Sequence, residues 1–226
     1  MAAPFEAHTS FLQRLADHLF FPVNMWLGEE TSRRLGLTPI DHERIRFVLP
    51  YCRGRLLDVA CGNNLLVLTY GNGTGCDIHP YPRISVRCDS AKLPFRSGSF
   101  DSVAMLACLN HIVSRRETIE ECRRVLGDGG RLLVTMIPPW VGRFSHPIRR
   151  RHDPDQLERG MSREEEWGLR TSEVARLLAE SGFRLVLHRR FMWGLNNFYM
   201  ALKCRSETDS NHATGASVAC CSLNPV

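Results

Sequence analysis

Leu56-Leu57-Asp58-Val59-Ala60-Cys61-Gly62-Asn63-Asn64 is the stretch whose reading decides the fold. A short apolar run that ends in small and turn-forming residues reads as a buried strand stopping abruptly. Gly62 lets the backbone of that turn approach a ligand closely, with its amides facing the ligand and Asp58 remaining at the crevice. Nineteen residues after Asp58, Gly75-Cys76-Asp77-Ile78 places a second carboxylate at the end of a second strand. Such a carboxylate can accept from both hydroxyls of a ribose, and the apolar residue after it can lie against a purine. A third acidic position follows in Cys88-Asp89-Ser90, just before Leu93-Pro94-Phe95.

Outward from this core, short apolar runs alternate with amphipathic stretches, the pattern of a parallel sheet covered by helices. Strands are predicted at 55–59, 74–77, 84–87, 102–107, 131–136, 184–190 and 197–203. The fold class is therefore α/β, a Rossmann-like, mostly parallel sheet of seven strands with helices on both faces. Ser114 and Glu117 read as a capping box for a helix that the turn Gly127-Asp128-Gly129-Gly130 ends. Thr171 reads as the cap of a helix stopped by Gly182. Residues 1–50 carry two amphipathic helices, with Phe11, Leu12, Leu15 and Leu19 at helical spacing in the first, and are expected to form an N-terminal helical cap. Residues 51–205 form the main domain, and the polar, aperiodic stretch 206–226 is expected to be a disordered tail. Within the domain, 137–170 is long for a plain connection and leaves the carboxyl end of a strand, where open α/β sheets place their ligands. It is read as a substrate-facing insertion.

The ordered strings DVACGNN, GCDI, CDSAKLPFRSGSFDSV, LNHI and RRVLGDGGRLLV resemble the class I S-adenosylmethionine-dependent methyltransferases, in particular their small bacterial, type 11-like branch. The likeness runs from about Arg55 to Val134 and resumes weakly over 171–203. It implies S-adenosylmethionine as cofactor and methyl transfer to an O or N acceptor on a small molecule, with a sugar or other cell-surface precursor suggested by the resemblance of 153–161 to bacterial methyltransferases of cell-surface sugar pathways, and a small metabolite or a quinone-like acceptor fitting the domain equally well. By the same resemblance Asp58, Ala60 and Gly62 line the methionine end of the cofactor, and Asp77 takes the ribose. Ile78 lies on the adenine face, Asp89 and Ser90 on the adenine edge, and Met105 and Leu106 flank the cofactor from the fourth strand. Two departures stand out. Ala60 and Asn64 occupy positions where the family usually has glycine, and the following helix is about one turn short. Asn tolerates a left-handed backbone better than most residues, so Asn64 is compatible with the turn.

His111 is the candidate catalytic residue, at a position commonly structural in the family; His146, His152 and Tyr199 are further candidate bases. Arg149, Arg150 and Arg151 are the candidate acceptor-binding residues, an arginine cluster suited to carboxylate or phosphate on an anionic acceptor, with a solvated surface run as the plain alternative. Trp140, Trp167 and Trp193 are read as packing residues first, with an acceptor pocket shaped by the insertion that carries two of them as the alternative.

Composition narrows the rest. A chain of 226 residues, 43% hydrophobic and 23% charged, suits one globular domain. The nine cysteines are scattered, odd in number and without a CxxC pair, which favours reduced thiols over disulfides or a metal site. The formal charge of +5 gathers in Arg143–Arg151 rather than along a stripe with interleaved aromatics, giving no support for nucleic acid as a partner. No apolar run reaches the ~20 residues of a membrane-spanning helix, and the N-terminus does not read as a secretory signal, so a cytoplasmic protein is expected. Two other classes of protein share parts of this pattern. A dinucleotide-binding oxidoreductase would need glycine at 60, 62 and 65 and finds it only at Gly62. A non-catalytic cofactor-binding or interaction protein is motivated by Ala60, Asn64 and the short helix.

Overall fold

The computed structural model describes residues 10–24, 27–149 and 166–204. Three helices precede the sheet: α1 (Phe11–Asn24), α2 (Glu29–Arg34) and α3 (Ile40–Val48). The sheet and its helices follow as β1 (Leu56–Val59), α4 (Leu65–Tyr70), β2 (Gly73–Asp77), β3 (Val86–Arg87), β4 (Phe100–Leu106), α5 (Arg115–Val125) and β5 (Leu126–Met136). Then come α6 (Pro139–Arg149), α7 (Thr171–Glu180), β6 (Phe183–Phe191) and β7 (Asn196–Lys203).

Seven strands lie in the order β3-β2-β1-β4-β5-β7-β6, parallel except for β7, which runs antiparallel to both neighbours. β1 is central and buried along its whole length, which is why its residues read as a continuous apolar run rather than an alternation. One face of the sheet packs Leu57, Val59, Val103, Met105, Leu132 and Val134 against α5 and α7. The other packs Leu56, Ala104, Leu133 and Phe198 against α3 and α4. Because Met136 pairs with Asn197, the β6–β7 turn lies at the same edge of the sheet as the carboxyl ends of β1, β4 and β5.

Three local expectations are corrected. Ser114 occupies the N-cap of α5 but makes no side-chain capping bond. Thr171 is the first helical residue of α7, and its hydroxyl instead lies 3.0 Å from the Tyr199 hydroxyl. Gly127–Gly130 do not end α5 as a free turn; they belong to β5, where Leu126 pairs with Phe100 and an irregularity intervenes before Arg131 pairs with Ser102. The glycines make that irregularity possible, since a Cβ on Gly130 would stand 2.8 Å from the Gly127 carbonyl. The three tryptophans expected to pack are all substantially exposed.

The insertion opens with α6, and its far end folds back onto its beginning. A Cβ on Gly142 would collide with the Trp167 carbonyl, and one on Gly168 would stand 2.5 Å from the Ile137 carbonyl. Asn110, just beyond β4, accepts the Glu166 amide at its carbonyl (3.0 Å), and the Arg115 guanidinium holds the Glu166 carboxylate at 2.8 Å. Residues 150–165 and the tail beyond Cys204 lie outside the described residues, as do the expectations placed on them.

Candidate cofactor site

The turn after β1 takes an unusual backbone course. Ala60, Gly62 and Asn64 all adopt positive φ, at 54°, 53° and 58°. Only Gly62 does so without steric cost; a left-handed L-residue costs roughly 1–2 kcal/mol. The loop is held in this course by its neighbours. The Cys61 amide donates to the Cys76 carbonyl (3.1 Å), tying the loop to β2. Asn64 is buried, and its Nδ2 donates to the Arg83 carbonyl at 2.8 Å. Its amide occupies the space that a side chain at position 75 would need: a Cβ on Gly75 would lie 1.9 Å from Asn64 Oδ1.

Asp77, at the end of β2, is buried and bridges two backbone amides. Its Oδ2 accepts from Gly62 (2.9 Å) and its Oδ1 from His79 (3.0 Å). Asp58 is buried at the end of β1, and its Oδ1 has no hydrogen-bond partner among the described residues. Burial, and secondarily the charge of Asp77, pushes the Asp58 carboxyl up to about 8. Two acidic groups thus share one crevice with a backbone turn whose surface is open, since nothing would meet a Cβ built on Gly62. Ile78 stands 59% exposed immediately after Asp77, an apolar side chain left uncovered at the crevice.

The remaining sequence-predicted residues are placed as follows. Asp89 is exposed, with Oδ1 accepting the Ala91 amide (2.9 Å), and Ser90 reaches Thr118 at 3.0 Å. Leu106 ends β4, partly buried. Met105 points into the core, with Cys122 Sγ 3.9 Å from its sulfur. His111 follows β4, its amide bonded to the Cys108 carbonyl and its ring 3.0 Å from Asn110 Nδ2. Tyr199 is fully buried with its hydroxyl at Thr171 and its pKa raised mainly by burial, which makes it a poor proton acceptor near neutrality. Arg149 closes α6; its side chain, all of Arg150 and Arg151, and the rings of His146 and His152 lie outside the described residues. Sequence reading missed Ala107, which leaves β4 at φ 55° with its amide on the Thr135 carbonyl. Nothing in an alanine signals that conformation. A cavity of about 290 Å³ opens between the starts of α5 and α7, bounded by Val113, Arg115, Glu166, Leu169 and Arg176, and none of its lining residues belongs to the Asp58–Asp77 crevice.

Residues 57–134 match the methyltransferase domain family model, a span that covers β1 through most of β5 and contains every element of the crevice. The chain carries a class I S-adenosylmethionine-dependent methyltransferase domain. Its cofactor is S-adenosylmethionine and its reaction class is methyl transfer. A demethylmenaquinone methyltransferase of Paenarthrobacter aurescens is 32% identical over 99 residues, 44% of this chain and about a third (34%) of that protein's length. A protein of the same name from Tropheryma whipplei is 25% identical over 194 residues, covering 66% of this chain and 78% of its own. Among solved structures, a Methanosarcina mazei S-adenosylmethionine-dependent methyltransferase superposes with a TM-score of 0.51 at 20% identity, covering 71% of this chain and 98% of that one. The putative methyltransferase solved in complex with the Haloferax volcanii Trm112 activator gives 0.57 at 13% identity, over 73% of this chain and 90% of its own.

The crevice fits this cofactor on its own chemistry. S-adenosylmethionine carries a sulfonium and an ammonium, a ribose diol and an adenine. In chain order the crevice offers a buried carboxyl with an unpaired oxygen, an open glycine turn, a second carboxylate and an uncovered apolar side chain.

Proposed function

We propose that this chain methylates a small, apolar, ring-bearing acceptor of the demethylmenaquinone type, with Asp58, Ala60 and Gly62 holding the methionine end of the cofactor, Asp77 the ribose, Ile78 the adenine face, and Asp89 with Ser90 its edge. When bound, the cofactor supplies an electrophilic methyl group on a sulfonium. The chain's own part is to fix donor and acceptor in line and to keep water from the reacting centre. Asp77 contributes by positioning the Gly62 amide as well as by accepting from a diol. Asp58 contributes by changing state: raised to about 8 without a neighbouring cation, it releases its proton when a positive group enters the crevice.

The observation that carries the acceptor class is the surface of α6 at the carboxyl edge of the sheet, where Trp140 and Phe144 are 57% and 66% exposed beside Arg143. Exposed aromatics on the segment that leaves β5 suit an apolar ring better than a sugar. The names of the curated relatives agree with it. The test is a methyl-transfer assay with labelled S-adenosylmethionine against a demethylated naphthoquinol, catechols, aryl amines and nucleotide sugars. Turnover on the ring-bearing acceptors that falls when Trp140 and Phe144 become alanine supports the reading; turnover confined to the nucleotide sugars, with that double variant unaffected, overturns it.

A further inference from the structure

α1 is mounted with its polar side inward. Of its residues only Asp17, Phe21 and Asn24 are buried, whereas Phe11, Leu12, Leu15, Leu19, Phe20 and Val23 are 45–78% exposed. Hydrogen bonds enforce this orientation. Asp17 accepts both the amide and the hydroxyl of Thr38 (2.8 and 2.7 Å), Asn24 Nδ2 donates to the Thr38 carbonyl (2.6 Å), and Gln13 Nε2 donates to the Gly36 carbonyl (2.7 Å). Rolling the helix over to bury its apolar face would strand a buried carboxylate and its partners. The apolar face is therefore presented outward by construction.

This face joins the β6–β7 turn. Trp193, 56% exposed, donates from Nε1 to His18 Nδ1 of α1 at 3.3 Å, with the two rings 5.2 Å apart. The strands on either side of it add charge of one sign. Arg189 and Arg190 are exposed just before the turn, and residues 183–203 contain no carboxylate; Arg184 and Lys203 lie at the opposite end of the hairpin, where Lys203 donates to the Leu126 carbonyl (2.6 Å). The single acid of α1, Asp17, is buried and bonded to Thr38. In the adjoining α2, Glu29 and Glu30 are paired with Arg33 and Arg34. The surface is thus leucine, phenylalanine and tryptophan rimmed by Arg189 and Arg190, with no unpaired acid on α1, α2 or the hairpin among the described residues, the composition that settles a helix in the headgroup region of an anionic bilayer.

We propose that the outer face of α1 and the β6–β7 turn dock this protein onto an anionic lipid surface, without crossing it. No helix among the described residues is long and apolar enough to span a membrane. Since the turn lies at the carboxyl edge of the sheet, docking brings the edge that holds the crevice against the bilayer. The inference is independent of the acceptor and is tested without one.

Full-length protein is floated with vesicles of phosphatidylcholine, alone or mixed with phosphatidylglycerol, at low and moderate salt. Binding to the mixed vesicles that weakens with salt is expected. Leu12→Glu combined with Leu19→Glu, and separately Trp193→Ala, should each lower the vesicle partition about tenfold or more. Arg189→Glu with Arg190→Glu should abolish the preference for anionic lipid, and all three variants should keep the wild-type thermal midpoint and S-adenosylmethionine affinity. Wild-type protein that ignores both vesicles overturns the proposal. So does a dimer in sedimentation equilibrium that Leu12→Glu with Leu19→Glu converts to a monomer in the absence of vesicle binding, which assigns the face to a second copy. A monomer with no affinity for lipid, whose α1 face is shielded from a hydrophobic dye until residues 205–226 are removed, assigns it to the chain itself and overturns the proposal equally.

Discussion

Replacing Gly75 by alanine should destabilise the protein through the loop after β1, and replacing Asn64 by glycine in the same chain should cost less there than it does in the wild-type chain. The added Cβ would stand 1.9 Å from Asn64 Oδ1 and 2.9 Å from Cys61 Sγ, both well inside contact distance. Overpacking of this kind costs about 1–3 kcal/mol. Asn64→Gly alone removes the 2.8 Å bond to the Arg83 carbonyl, worth about 1 kcal/mol, and partly offsets it by relieving an L-residue at φ 58°. If the two side chains compete for one space, the double variant should cost roughly 1 kcal/mol less than the sum of the singles, the residue of the penalty coming from Cys61. Distant sites add within about 0.5 kcal/mol, so the coupling is measurable. Urea denaturation of the four proteins gives it directly, and in a chain this long each kcal/mol moves the thermal midpoint by about 2–4 °C. Strict additivity would refute the reasoning, because it would mean that Asn64 is not what position 75 must avoid.

Other expectations follow from the same geometry. Asp77→Ala should weaken S-adenosylmethionine binding by about 1–3 kcal/mol in titration calorimetry, since a charged acceptor is lost together with the anchor of the Gly62 amide; wild-type affinity would remove Asp77 from the site. Asp58 holds a proton in the folded, ligand-free protein over a range in which the unfolded chain has released it. Its contribution to stability is therefore fully present below pH ~4 and lost as pH rises through about 8. The thermal midpoint of the ligand-free protein should fall across that window, and Asp58→Asn should flatten the fall; identical pH profiles would contradict the assignment. Gly142→Ala, which drives a Cβ into the Trp167 carbonyl, should separate α6 from the end of the insertion and raise the acceptor's Michaelis constant while leaving cofactor affinity near wild type. A change in cofactor affinity of the same size would place the insertion's role elsewhere.

Much of this arrangement was legible in the residues. β1 could be read because a strand buried on both faces writes a continuous apolar run, and the place of Asp77 at the end of β2 because an acidic residue closes that strand's short run nineteen residues after Asp58. Features that depend on partners remote in sequence were not. The orientation of α1 is set by Thr38, twenty-one positions from Asp17, so a pattern of apolar residues at helical spacing correctly gave a helix and said nothing about which way it faced. Gly127–Gly130 carry turn chemistry, yet pairing between Phe100 and Leu126 draws them into the sheet. Thr171 has the composition of a cap, but the Tyr199 hydroxyl is within its reach. The tryptophans were read as packing residues by type, and only the tertiary structure exposes them.

The distribution of left-handed backbone separates the two edges of the sheet. At the amino edge the positive-φ positions that precede strands are glycines: Gly54 before β1, Gly71 before β2, Gly98 before β4 and Gly182 before β6. At the carboxyl edge the same conformation falls largely on residues that resist it: Ala60 and Asn64 after β1, Ala107 after β4, and Met192 and Trp193 in the β6–β7 turn. Among the described residues, these five are all of the non-glycine cases. Each would be relieved by glycine, so the side chains there, or the rigidity of the turns that carry them, outweigh local comfort. Strain of this kind persists only where surrounding bonds over-determine the backbone. They do so here: Gly62 is pinned by Asp77, Cys61 by Cys76, Asn64 by Arg83 and Ala107 by Thr135. With alanine at 60 and asparagine at 64 the loop therefore keeps its left-handed course. The amino edge is built for stability and the carboxyl edge to hold a shape, which is what an edge that must keep donor and acceptor in line requires.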